Sequence, residues 1–267
     1  MNIISPLHLG VFSVGLDKKF NRIKPEDPPA KGALKIALNP FLIQTDEGNF
    51  LIDTGIGLFG EENFFELLVE KLEEHNLSEH DITGVFCSHL HYDHVGGLVH
   101  NENGYLETVF PDAEIWVSGK EWEKAQNLSG RTDLESSFMD FLEARANLHF
   151  FEDNPAPYNF FKATTIGGHT EFSQLFEVNL NGQNYFMAGD VLGTRGAINR
   201  RYAAKYDFDG KTSMNVRDEL STKAFENDAH FLCFHDTEFP IFKLSDYSKD
   251  KGYIIKPVKS IFDEQLN

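Results

Sequence analysis

The sequence predicts a mixed sheet-and-helix domain, on three observations. Short apolar runs bounded by turn residues alternate with segments of helical period. No low-complexity linker and no repeat of fixed period divides the chain, so residues 1–267 read as one domain. Several of the apolar runs end on a histidine or an aspartate, which puts the chemistry at strand ends.

Taken in order, Lys24-Pro25-Glu26-Asp27-Pro28-Pro29 is the strongest breaker cluster and reads as an early surface loop. Leu34 to Ile43 and Phe50 to Ile52 read as strands flanking the turn Asp46-Glu47-Gly48-Asn49. Glu61 to Asn76 reads as a helix, with Phe64, Leu68 and Leu72 on one stripe and acids early, where the helix dipole favours them. Ile82 to Cys87 and Ala113 to Val117 are short apolar strands, while Gly119 to Leu128 and Asp133 to Asn147 look helical. Strands follow near Phe161 to Ile166, Gln174 to Leu180 and Asn184 to Ala188, the last two joined by the hairpin signal Asn181-Gly182. A helix from about Ser213 to Asn227 precedes the apolar strand Ala229 to Phe234.

Composition is that of an ordinary globular protein, 41% hydrophobic and 25% charged, and 25 phenylalanines supply a large aromatic core. A formal net charge of -18 repels nucleic acid and anionic membranes, so neither is expected as a partner. Cys87 and Cys233 sit in apolar runs and read as buried thiols. There is no basic start followed by an apolar stretch, and no window approaches the roughly 20 apolar residues of a membrane span. A cytoplasmic location is expected.

The main chemical signal is His-x-His-x-Asp-His at His89, His91, Asp93 and His94, directly after the strand Ile82 to Cys87. His89 and His91 are two apart and point the same way in extended backbone. Asp93 and His94 come after a turn and can face a second centre, and Gly96-Gly97 lets the backbone pass close by and open a helix. Imidazole nitrogen and carboxylate oxygen suit zinc and its borderline neighbours. Three later residues share the same grammar: His169 after Ile166-Gly167-Gly168, Asp190 after Phe186-Met187-Ala188-Gly189, and His235 after Phe231-Leu232-Cys233-Phe234. Singly, each is an ordinary loop residue; together with the first motif they are candidate ligands. His8, His75, His80, His100, His149 and His230 lack this setting and read as surface or packing residues.

These motifs, with Phe50-Leu51-Ile52-Asp53-Thr54-Gly55 before them and Phe234-His235-Asp236 at the end, resemble the metallo-β-lactamase superfamily in content and order. The resemblance implies an α+β fold, a four-layer αββα sandwich of mixed sheets packed face to face with helices outside. It implies two divalent metal ions, zinc by default, with manganese or iron also fitting the ligands. His89, His91 and His169 would hold one; Asp93, His94 and His235 the other; Asp190 would bridge them. Asp53 would orient a ligand histidine, its alternative being a turn-forming aspartate. Zinc β-lactamases carry cysteine where Asp190 stands, and flavodiiron proteins glutamate where His91 stands. Glyoxalase II adds a C-terminal region that nothing after His235 suggests. Leu38-Asn39-Pro40-Phe41, Gly130-Arg131-Thr132 and Tyr206-Asp207-Phe208-Asp209 look more like the branch of quorum-quenching lactonases and esterases. The acyl-homoserine lactonases place a tyrosine three residues after the bridging aspartate; this chain has Gly193 there. Tyr92 or Tyr206 would have to polarise a substrate carbonyl instead.

The leading expectation is hydrolysis of an ester or lactone in a small molecule by a metal-bridged hydroxide, with Asp93 and Asp190 holding the metals and handling the proton. Phosphodiester or phosphotriester hydrolysis at the same site is the alternative, and a ligand-sensing protein without turnover is the third reading. Arg195, Arg200, Arg201 and Lys205 form a basic island. Arg195 could grip a substrate anion, or the island could be a solvated loop paired with nearby acids, which is ranked ahead. Leu58-Phe59 and Phe64-Phe65 read as aromatic core before substrate wall. The only partner expected is a small molecule, with a homodimer left open.

Overall fold

The computed structural model describes residues 2–60 and 64–258. Two six-stranded sheets dominate it. The first runs, in spatial order, Ile3–Pro6, Phe41–Thr45, Gly48–Ile52, Ile82–Phe86, Glu114–Val117 and Asn147–Phe150. The second runs Phe161–Thr165, Gln174–Leu180, Gln183–Met187, His230–Leu232, Ile241–Ser248 and Gly252–Pro257. The described residues also form five helices: α1 (Phe64–Glu73), α2 (Tyr92–Val95), α3 (Gly119–Gln126), α4 (Asp133–Arg145) and α5 (Gly210–Glu226).

The sheets face each other across an aromatic core. Phe86 of the first sheet stacks on Phe161 of the second at 3.8 Å, and Phe50, Phe160 and Phe176 extend the cluster. Leu68 and Leu72 of α1, Trp122 of α3 and Phe138 of α4 belong to this core, so those helices pack on the first sheet. Leu220 and Ala224 of α5 pack with Phe231 and Phe242 on the second. This is the four-layer αββα arrangement of an α+β fold.

Local sequence explains most of the elements. The stripe Phe64, Leu68, Leu72 is the buried face of α1, and Glu61–Asn63 of the expected helix lie outside the described residues. Thr132 caps α4 through a reciprocal pair with Glu135, and the Asp209 carboxylate accepts from two amides opening α5. Asn181 and Gly182 both hold positive φ (53° and 82°), the geometry of a tight two-residue hairpin turn.

The strand expected over Leu34 to Ile43 is two strands. Leu34–Ala37 joins Val11–Val14 and Phe20–Ile23 in a separate three-stranded sheet, and Phe41–Thr45 enters the first large sheet. The break falls at Leu38-Asn39-Pro40, where Pro40 has no N–H to give a ladder and the amide of Asn39 bonds Phe234 across to the other sheet. The glycines Gly96-Gly97 follow the four-residue α2 and open only a 3-10 turn. Their close approach is real: a Cβ on Gly97 would stand 2.3 Å from the carbonyl oxygen of Thr54.

Parallel pairing positions the site. Gly48–Ile52 and Ile82–Phe86 are parallel neighbours in the first sheet, Gln183–Met187 and His230–Leu232 in the second. Their C-terminal ends lead into Asp53, Ser88-His89, Asp190 and His235. In sheets of this kind, ligands gather beyond the carboxyl ends of parallel strands, where loops diverge and leave room. No helix among the described residues is long and apolar enough to cross a membrane.

Candidate metal centre

All seven candidate ligands come together at that edge. The donor atoms of His89, His91, His169 and Asp190 lie within 4.8 Å of one another, and so do those of Asp93, His94, Asp190 and His235. Asp190 belongs to both groups. Its Oδ1 stands 3.2 Å from His94 Nε2 and 3.0 Å from His235 Nε2, while its Oδ2 stands 3.4 Å from His169 Nε2.

The histidines are held from behind. His94 Nδ1 donates to Asp53 Oδ2 at 2.8 Å, His169 Nδ1 to Asp207 Oδ1 at 3.1 Å, and His235 Nδ1 to the carbonyl of Ala37 at 2.9 Å. His89 Nδ1 faces Ser88 Oγ at 3.1 Å, whose own proton goes to Asp53. An imidazole that donates outward from Nδ1 presents an Nε2 lone pair inward, the tautomer a metal ligand needs. His91 presents Nδ1 instead, 3.1 Å from His89 Nε2 and 3.0 Å from His169 Nε2. Three ring nitrogens facing one another at this range repel unless a proton or a cation lies among them. His94 Nε2 and Asp190 Oδ1 are buried without a hydrogen-bond partner, a costly condition that a cation between them would relieve. The donor set therefore fits two divalent cations.

Electrostatics divides the two groups. Burial, with His94 and His91 adding, pushes His89 well below the usual histidine range; burial and His169 bring His91 down to about 4. Burial also opposes a charge on His94 and His235. There the carboxylates of Asp190 and Asp93, and of Asp53 for His94, win and raise both. Burial would raise Asp190, but His235, His94 and His169 hold it well below the carboxylate range.

Asp53 combines a turn position with contacts to the candidate ligand His94 and to Ser88. It sits at φ 58° in the turn after Ile52, fully buried, and its carboxylate takes Ser88 N–H, Ser88 O–H and His94 Nδ1–H, each at 2.8 Å. The sequence reading missed the orienting roles of Ser88 and Asp207. Asp207 lies 38 residues beyond His169 in an irregular segment, so no spacing marks it.

A cleft of about 800 Å³ opens onto Asp93, Asp190 and His235. Tyr92 and Tyr206 line it; Arg195 does not. The Arg195 guanidinium is bound to Asp236 and Glu238 and lies over the Phe239 ring. Arg201 pairs with Asp218. The Tyr92 ring stacks on Phe59 at 3.9 Å, and burial, with Glu135 adding, raises its phenol to about 12. Phe59 thus serves as cleft wall, whereas Phe64 is core.

A family model described as the metallo-beta-lactamase superfamily matches residues 37–225, more than half the chain. The chain belongs to this superfamily. The matched span stops before His235, which the second sheet brings to the metallo-β-lactamase site all the same. Solved structures share the fold at low identity. AidC, described as a dizinc quorum-quenching lactonase in complex with a product, aligns at 22% identity and TM-score 0.72, covering 87% of this chain and 83% of its own. A probable metal-dependent hydrolase from Staphylococcus aureus aligns at 21% identity and TM-score 0.76, covering 97% and 98%. A mutant of AiiA from B. thuringiensis, with N-decanoyl-L-homoserine bound at the active site, aligns at 18% identity and TM-score 0.63, covering 88% and 92%. A search of curated proteins gave no match.

Proposed function

We propose that this protein is a metal-dependent hydrolase that cleaves an ester or lactone bond in a small molecule. The observation that carries the reading is the inward convergence of five imidazoles and two carboxylates beside a cleft of substrate size. Bound divalent ions, with zinc the first candidate, would supply Lewis acidity for a carbonyl oxygen and acidify a water to a nucleophile at neutral pH.

The chain's own groups do the rest. His89, His91 and His169 would hold one ion, Asp93, His94 and His235 the other, with Asp190 across both. Asp93 Oδ2 stands 3.4 Å from His235 Nε2 and borders the cleft, a position from which it can take up the nucleophile's proton and return it to the leaving alkoxide. Tyr92 keeps its phenolic proton at any physiological pH and can donate it in a hydrogen bond to a substrate oxygen. Ile36, Ile56, Phe59 and Leu90 give the cleft an apolar wall that strengthens such contacts by keeping water out.

The basic island offers little to a phosphodiester, because none of its four cations lines the cleft and Arg195 and Arg201 are already paired with acids. AidC and AiiA, whose structures hold a lactonase product and an acyl-homoserine, support the ester or lactone class. Zinc-loaded protein assayed in parallel on aryl esters, lactones and bis-aryl phosphates tests the reading. Turnover of an ester or lactone, lost together with metal in Asp190→Ala, is expected. Turnover of the phosphates alone would overturn it.

A further inference from the structure

His89 Nε2, His91 Nδ1 and His169 Nε2 face one another across about 3 Å (3.1 and 3.0 Å to His91 Nδ1), and before a cation arrives at most one proton, on His91 Nδ1, lies among the three. His89 and His91 flank Leu90 in one loop; His169 precedes Thr170 in another, 78 residues later. That single shared proton is a weak tie between the two loops, so their spacing depends on contacts outside the ligands.

We infer that Glu121 is a positioning residue for this half of the centre, one buried carboxylate that ties the two loops together. Glu121 sits in the first turn of α3, whose entry is fixed by Ser118. Its side chain points toward the site and is 7% exposed as a residue. Oε1 accepts the backbone N–H of Leu90 at 3.1 Å, and Oε2 accepts the hydroxyl of Thr170 at 3.1 Å. The donors are fully accounted for. Thr170 gives its hydroxyl proton to Glu121, so Ser173 gives its own to Thr170 Oγ1 at 2.8 Å while accepting Thr170 N–H at 2.8 Å.

Glu121 thus grips the peptide between two ligands of one loop and the side chain next to the ligand of the other. A carboxylate hydrogen bond in a buried setting is short of alternatives, since losing it strands the Leu90 amide. The exposed Lys124–Glu171 pair, at 2.7 Å, joins the same helix to the same loop but in solvent, where such a pair holds little. The other half of the centre is fixed separately, His94 by Asp53 and His235 by Ala37. The effect of Glu121 should therefore be confined to one ion of the two.

The inference rests on the metal reading of the site but not on the reaction. The full chain, stripped with chelator, is titrated with zinc against a chromophoric competitor as wild type, Glu121→Ala, Glu121→Gln and His169→Ala. The last variant marks which zinc equivalent belongs to this half. Glu121→Ala is expected to weaken that equivalent by about tenfold or more and leave the other unchanged. Glu121→Gln should recover most of the loss, because its amide oxygen still accepts from Leu90 and its amide can donate to Thr170. Thr170→Val removes one arm only and should weaken the same equivalent less, which keeps the test available if Glu121→Ala does not fold. Wild-type affinity at both equivalents in Glu121→Ala, or equal weakening of both alongside a lower melting temperature of the metal-free chain, would overturn the inference. Two zinc ions bound with the expected Glu121 effect but no ester or lactone turnover would uphold it and sink only the proposed reaction. A wild-type chain that binds no zinc would overturn both.

Discussion

Replacing Asp53 by asparagine changes one atom in the middle of the site's support, and its consequence follows from donor counting. Asp53 Oδ1 accepts the fixed backbone N–H of Ser88, so in Asp53→Asn the amide oxygen must stay on that side. The new NH2 then takes the place of Oδ2, facing Ser88 Oγ and His94 Nδ1, each 2.8 Å away. Ser88 can turn its hydroxyl and accept. His94 Nδ1 must become an acceptor too, which moves the ring proton to Nε2, the atom aimed at the metal position. The variant keeps its shape and its packing but presents the wrong tautomer. Loss of such an orienting partner typically costs about 10–100-fold in metal affinity, or about 1.4–2.8 kcal/mol. The assay is a zinc titration against a competing chelator, paired with urea unfolding of the metal-free protein. The half-site containing His94 should weaken by that factor while the chain still unfolds cooperatively. Wild-type affinity for both zinc ions in Asp53→Asn would refute the tautomer argument.

Four further outcomes are expected. Zinc uptake near neutral pH should release protons, because His94 and His235 are raised above 6.5 and must become neutral to bind; calorimetry in buffers of different ionisation enthalpy should show an enthalpy that varies with buffer. In the metal-free chain these two groups add stability that is fully present below pH 6.5 and fades as pH rises through their raised values, whereas the His91 contribution is lost as pH falls from 6.5 toward 4. Tyr92→Phe should keep the stack on Phe59 yet lower kcat on an ester or lactone by about tenfold with KM little changed, and an unchanged kcat would remove Tyr92 from the chemistry. Arg195→Ala should leave kcat/KM intact but cost about 1–3 kcal/mol in denaturant unfolding, since it strips a partner from the buried Asp236 carboxylate; a raised KM with unchanged stability would return Arg195 to substrate binding.

The candidate ligands were legible because they cluster in one short motif or stand at the end of an apolar run, patterns local to a few residues. Asn181-Gly182 was legible for the same reason. Asn103-Gly104 carries an identical turn signal between Val99–Glu102 and Tyr105–Thr108, with φ 53° and 91°, yet the polar strands around it hid the hairpin. The three-stranded sheet was missed because Phe20–Ile23 buries none of its four residues fully and shows no alternation to read. What holds the ligands was harder to see than the ligands. Asp207 and Glu121 act over 38 and 31 positions of chain, and only folding places them. Arg195 illustrates the reverse: a cation beside a site in sequence that tertiary ion pairs turn away from it.

Each half of the centre draws donors from both sheets, His89 and His91 with His169, and Asp93 and His94 with His235. Neither sheet alone can complete a single coordination sphere. A bound ion is then a rivet through the sandwich, and its affinity is a measure of how well the two halves of the chain have docked. Free zinc at about a hundred times its dissociation constant would add about 2.7 kcal/mol per ion to the docked state and nothing to the separated sheets. Chelation should therefore be felt far from the cleft, as faster amide exchange along the shared aromatic interface of Phe86 and Phe161.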